Sequence, residues 1–307
     1  MASGTRTVIY AALAGNTAIA AGKFAVAGIT GSSALFSEGV HSLVDTGNQA
    51  LLLLGLKRAA KPADAAFPFG HGKEIYFWSF VVAISIFGLG ATISIYEGIA
   101  QLRHPSEITD PGWSYAILGF AAAIEGTAWF VAFREFDALR GPRGFFEAVH
   151  RGKDPTTYVV LFEDSAALLG LLVAVVATAL VQWTGLAWID GAASVVIGLI
   201  LAGTAGWLAN ETMGLLIGES AEPEVEDGIR EIALETAGVE RVNEVLTMHM
   251  GPHFILVNLS IDFEEELVAG AIEGAVRTID RKIKERFPEV KRVFAEAEAP
   301  PGEAPAP

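Results

Sequence analysis

The sequence contains no cysteine. That excludes disulfides and thiolate metal sites, so any bound metal must be held by His, Asp, Glu or backbone oxygen. Charge is also scarce. Only 19% of the 307 residues are charged, against 52% hydrophobic ones, which is the composition of a membrane protein and not of an ordinary soluble enzyme. Basic residues are in short supply, giving a net charge of −15. From Glu219 onward nine basic residues stand against 20 acidic ones, so much of the acidity lies in the C-terminal third and argues against nucleic acid as a partner. A cleavable leader is not evident either. One charge, Arg6, precedes apolar sequence with no polar break, so the first apolar segment is expected to stay as a membrane span. No H-E-x-x-H motif occurs, and a membrane metallohydrolase is disfavoured. The chain is not expected to be an enzyme.

What is present is a set of long apolar runs. About 20 mostly apolar residues cross a bilayer as a helix. Six stretches meet this: Thr7–Ala27, Ala34–Leu56, Glu74–Leu102, Trp113–Phe133, Tyr158–Trp183 and Leu186–Ile217. The second–third loop carries Lys57, Arg58, Lys61 and Lys73, and the fourth–fifth loop carries Arg134, Arg140, Arg143, Arg151 and Lys153. The opposite connections carry only Arg103, so the positive-inside rule places both termini in the cytoplasm. A multi-pass protein of a bacterial inner membrane is expected.

After Gly218 the pattern changes. Glu222–Ala237 and Leu267–Phe287 have helical periodicity, while Val239–Met250 and Phe254–Phe263 alternate as strands around Gly251-Pro252. Val290–Glu296 reads as a short last strand. The expected fold is therefore a six-helix transmembrane domain over residues 1–218, then a small α+β (αββα) cytoplasmic domain over 219–298, then a disordered tail over 299–307. A domain of about 80 residues has a marginal core, and dimerisation would remedy this.

The polar groups inside the apolar runs are few. His41 and Asp45 are four residues apart, so a helix places them on one face, as half of a tetrahedral site for a cation such as Zn²⁺. Ionisable groups inside a membrane helix are expensive and mark function. Asp164, in the fifth run, can face that pair. Glu163 lies about 100° round the same helix, so one of the two can ligate while the other caps, relays protons or faces the entry. In the second–third loop, Asp64 and His71 either hold a second metal or only shape the turn. Asn16, Asn48 and Glu125 read as interhelical hydrogen-bond partners, and Asp190 as the cap of the sixth helix. His249 and His253 flank a turn and are expected to be solvated.

Ser37-Glu38-Gly39-Val40-His41-Ser42-Leu43-Val44-Asp45, Phe69-Gly70-His71-Gly72-Lys73-Glu74, the six runs and the acidic C-terminal domain together resemble the cation diffusion facilitator family of zinc-transporter type. Leu161-Phe162-Glu163-Asp164-Ser165-Ala166-Ala167-Leu168-Leu169-Gly170 resembles the zinc transporter nine branch. The resemblance implies a homodimer that exports divalent metal in exchange for protons. Its site would take His41 and Asp45 from the second span and Asp164 from the fifth. Where the family has a fourth ligand this chain has Val160, leaving Glu163, Asn48 or water to replace it. Phe67 stands at a loop histidine position, and Asn243 and Asn258 stand where the soluble domain usually has histidines, so a metal cluster there is not expected. Mixed N/O ligands favour Zn²⁺; more carboxylate moves the preference toward Mn²⁺, Fe²⁺ or Co²⁺. The missing ligand also admits another class of function, a non-transporting scaffold or regulatory subunit with a degenerate metal site.

Overall fold

The computed structural model describes residues 3–106 and 109–298. The region expected as a disordered tail, 299–307, lies outside them. The chain divides into two compact units. One comprises Met1–Lys57 with Ile75–Met213, and the other Arg58–Glu74 with Gly214–Pro307. The second–third loop is thus grouped with the C-terminal unit.

The first unit is helical: α1 (Ser3–Thr30), α2 (Ser33–Ala59), α3 (Glu74–Ser85), α4 (Thr92–Arg103), α5 (Pro111–Arg140), α6 (Phe145–Arg151), α7 (Pro155–Thr184) and α8 (Trp188–Ile217). A π-helical turn, Ile86–Ala91, joins α3 to α4, so the third apolar run is one long rod with a widened middle. Local signals set the ends. Pro155 occupies the first turn of α7, where its missing N–H costs nothing, and the Asp154 carboxylate accepts from the Thr156 N–H at 3.0 Å. Gly185, at φ 72°, closes the same helix in the left-handed region that favours glycine. The short α6 sits in a segment expected as loop.

Among the described residues, four helices are long and apolar enough to cross a membrane: Glu74–Arg103, Pro111–Ala138, Tyr158–Thr184 and Trp188–Ile217. The helix α2 owes its lower hydropathy to an interior that is partly polar, since Ser37, Glu38, His41, Ser42 and Asn48 are all buried. Around them Ala34, Leu35, Val40 and Leu52 join a core with Ile19 of α1, Leu118 and Ala121 of α5, and Leu161, Leu171 and Ala174 of α7. The helix α5 packs on both α1 and α7.

Asp190 corrects one expectation. It does not cap its own helix. Its carboxylate accepts from Ser32 Oγ at 2.7 Å, from the Ser33 N–H at 2.5 Å and from the Ala34 N–H at 3.3 Å, so it caps the start of α2 from another helix. A buried helix start without such an acceptor would leave its N–H groups orphaned.

The second unit contains α9 (Pro223–Leu234), β1 (Val239–Gly251), β2 (Phe254–Phe263), α10 (Ala269–Arg286) and β3 (Val290–Ala297). The sheet order is β1-β2-β3, with β1 antiparallel and β3 parallel to the central β2. Alternation explains the layering. Ile255, Val257, Leu259 and Ile261 of β2 are buried with Ile229, Ile232 and Ala233 of α9 and Ala275, Ile279 and Ile283 of α10. In register across the three strands lie Leu246, Asn258 and Phe294, and the Leu246 and Phe294 side chains are exposed. His249 is buried, against the expectation of a solvated side chain, while His253 is exposed.

Candidate functional site

In the first unit, α2 holds His41 and Asp45 one turn apart, with His41 Nδ1 3.3 Å from Asp45 Oδ1. The imidazole is buried, and neither of its nitrogens makes a hydrogen bond; Asp45 Oδ1 is also buried without one. The pair is close but aligned too poorly to be a hydrogen bond. Buried polar atoms without partners are costly, and a cation is the partner that an imidazole lone pair and a carboxylate oxygen would share.

Asp45 and Asp164 line one cavity of about 150 Å³, together with Asn16, Gln49, Ser42 and Glu125. Asp164 of α7 thus shares a cavity with Asp45 of α2, while His41 is not among the residues that line it. Glu163 lies outside this lining. It is buried and accepts from Asn48 Nδ2 at 2.5 Å. Of the residues that could stand in at the Val160 position, Glu163 and Asn48 thus form one linked group beside Asp45, while Val160 itself packs against the apolar core. Among the described residues, no group of three or more His, Asp and Glu side chains stands in an arrangement that would hold a metal ion.

A neighbouring group was not read from the sequence. Lys23 of α1 is wholly buried, and its ammonium donates to Glu38 Oε2 at 3.0 Å, to Ser42 Oγ at 2.8 Å and to Glu125 Oε1 at 3.0 Å. The ammonium's three donors are all used. Glu38 Oε1 points at Gly170 of α7, where an added Cβ would overlap it. The signal was available: a lysine in an apolar helix needs an acidic partner, and Glu38 and Glu125 are carboxylates within the apolar runs.

In the second unit, Asp64 and His71 do come together. His71 Nε2 lies 3.1 Å from Asp64 Oδ2, and Nδ1 lies 3.2 Å from Glu74 Oε1, so both ring nitrogens already face a carboxylate. Asp64 also accepts from the Ala66 and Phe67 N–H groups, at 2.9 and 2.8 Å, and the Phe67 ring packs against His71 at a tilt of 44°, with centroids 4.5 Å apart. Gly72 lies against the backbone of Met250 and Gly251, where a Cβ would not fit. This geometry braces the turn. The hydrogen bond with His71, seconded by the Phe67 N–H, holds the Asp64 carboxyl below the ordinary carboxylate range. A depressed carboxylate stabilises the folded turn above its unfolded pKa and loses that contribution as pH falls through the lower folded value. Carboxyl-carbon NMR of the full chain should place Asp64 below a free aspartate, and His71→Ala should raise it; an unmoved midpoint would remove His71 as the cause. In the same unit Asn243 Nδ2 donates to Ser260 Oγ at 3.2 Å and to the Glu298 carbonyl at 2.9 Å.

Comparison with known proteins identifies the family of the chain. Residues 9–217 match the cation efflux transmembrane domain. The chain is 34% identical over 241 residues to "Proton-coupled zinc antiporter SLC30A9, mitochondrial" of Xenopus laevis, covering 78% of this chain and 43% of that protein. It is 24% identical over 296 residues to "Manganese efflux system protein MneP" of Bacillus subtilis, covering 94% of each. It thus spans less than half the length of the antiporter and nearly all of the Bacillus protein. One relative is named mitochondrial and the other is bacterial, so they lend no particular support to a bacterial inner membrane. A solved MamM CTD covers 25% of this chain and 95% of its own at 18% identity, with a TM-score of 0.24. With the family's transmembrane domain matched along most of the chain, and four bilayer-length apolar helices among those residues, this protein belongs to the cation efflux family.

Proposed function

We propose that this chain is a divalent-cation efflux transporter, with Zn²⁺ as first candidate, that moves metal in exchange for protons through a site between α2 and α7. The observation that carries the reading is the cavity shared by Asp45 and Asp164, with the buried, hydrogen-bond-free imidazole of His41 beside it. In this reading α1 and α2 are spans as well, giving six, and the basic second–third and fourth–fifth loops put both termini in the cytoplasm. Residues 1–218 carry transport. The domain over 219–298 joins two copies, and its open sheet face, with Leu246 and Phe294 exposed, is a surface suited to that.

The chemistry follows from the donor set. A metal needs neutral imidazole and ionised carboxylates, so loading His41, Asp45 and Asp164 releases protons. Protonation of the same groups on the far side expels the metal. Alternate exposure of a fixed site by rocking helix groups would couple the two fluxes. Glu163, buried next to Asp164 in the chain and hydrogen-bonded to Asn48, is the group through which protons reach or leave the site, or the oxygen donor that stands in for the ligand absent at Val160.

Metal-by-metal uptake with Glu163→Ala and Asp164→Ala separates these roles. Asp164→Ala is expected to cut transport of every metal by about 100-fold, the scale on which disturbing a metal's ligand shell acts. Glu163→Ala should shift preference away from Mn²⁺ if it ligates, or weaken the dependence on the pH gradient if it relays protons. Among the described residues no three ligands converge, and that favours a second reading, a scaffold or regulatory subunit with a degenerate site. Wild-type protein that moves no metal under any gradient would select it.

A further inference from the structure

Glu125 of α5 belongs to two groups at once. Its Oε1 is held by the Lys23 ammonium at 3.0 Å, and its side chain also lines the cavity that contains Asp45 and Asp164. Its other oxygen, Oε2, is buried and makes no hydrogen bond. Glu38, the second carboxylate on Lys23, is fully buried and wedged against Gly170, away from the cavity lining. Lys23 itself does not line the cavity; it stands behind Ser42 and Glu125. One lysine therefore serves two carboxylates, one fixed and one facing the space in which a cation would reside.

We propose that Glu125 is a cation-binding carboxylate of this cavity, held in reserve by Lys23, so that the transported divalent cation and the Lys23 ammonium compete for it. The proposal rests on the transport reading above. Its physical basis is the shared position. A dication between Asp45 and Asp164 sits beside a carboxylate with one oxygen to spare, and a carboxylate oxygen is a suitable ligand for Zn²⁺ and for harder cations. When Glu125 turns to the metal, Lys23 keeps Glu38 and Ser42, so its charge stays paired inside the bilayer. When the metal leaves, Lys23 recaptures Glu125, which helps release. Lys23 is a positioning residue in this scheme, and Glu125 is the ligand.

Competition makes a prediction that simple structural support does not. The full chain, in proteoliposomes with Zn²⁺ alone as substrate, would be compared with Glu125→Gln, Lys23→Gln and the double variant. Glu125→Gln keeps an amide oxygen for Lys23 to donate to, and is expected to raise KM about tenfold, the lower end of what altering a metal's shell does. Lys23→Gln frees Glu125 for the metal, and is expected to lower KM about tenfold while kcat falls because release is slower. In the double variant the effect of Lys23→Gln on KM disappears. An unchanged KM in Glu125→Gln would overturn the proposal, as would a Lys23→Gln effect of equal size in both backgrounds. If Lys23→Gln does not fold, the KM of Glu125→Gln decides alone. Wild-type protein that moves no metal would sink the transport reading itself, whereas normal wild-type transport with an unmoved KM in Glu125→Gln sinks only the role of Glu125.

Discussion

Asp45→Asn lowers zinc movement into proteoliposomes by about 100-fold or more in the expected outcome. Loss of supporting contacts around a metal already costs 10- to 100-fold, and Asp45 is placed as a ligand itself. Two observations single it out. It lies beside the hydrogen-bond-free His41, and it lines the cavity with Asp164. Asn is nearly the same size, so the apolar residues that line the cavity with it, Ile19, Ile124 and Ala167, need not repack. It lacks the negative charge that holds a dication and that takes up a proton when the metal leaves. Size-exclusion behaviour and thermal unfolding should therefore stay close to wild type while uptake collapses. Equal uptake by wild type and variant would show that the metal passes elsewhere.

Lys23→Met is expected to reduce stability by about 3–5 kcal/mol, the cost of breaking a buried ion pair by removing one partner. For a chain of this size that is a fall of roughly 10 °C in the unfolding midpoint. Methionine fills much the same volume but donates nothing. Glu38, fully buried, and Glu125, nearly so, would each lose their cation, and both already have a second oxygen without a hydrogen bond. Thermal unfolding in detergent measures this. Adding Glu38→Gln and Glu125→Gln to Lys23→Met should recover most of the loss, because the cost comes from the carboxylates left behind and not from the missing lysine. A Lys23→Met protein as stable as wild type would mean that the triad is solvated or rearranged in the membrane.

The difference between what was legible in the sequence and what was not follows the range of the interactions. Helix and strand positions follow from local periodicity, so the apolar runs and the β1–β2 pair fall close to where alternation and hydropathy put them. His41 and Asp45 were legible because i,i+4 spacing on a helix fixes their relation without knowledge of the rest of the fold. Asp190 was misread as the cap of its own helix because its partners, Ser32 to Ala34, lie more than 150 residues earlier in the chain. Lys23 was missed because one lysine does not interrupt an Ala- and Gly-rich apolar run, and its partners Glu38 and Glu125 lie on other helices, 15 and 102 residues away. The burial of His249 was hidden because strand alternation gives the face a residue points to, not what covers that face. The role of Glu163 depends on helix rotation, and a shift of one residue exchanges it with Asp164.

One measurement tests the metal-for-proton reading most directly. The purified full chain in sealed proteoliposomes, loaded with a pH-sensitive dye, is given Zn²⁺ outside and an acidic interior. Uptake of zinc accompanied by alkalinisation of the interior, with both signals lost together in Asp45→Asn, is the predicted result. Zinc entry with no proton movement, or proton movement that persists unchanged in Asp45→Asn, would contradict exchange at this site.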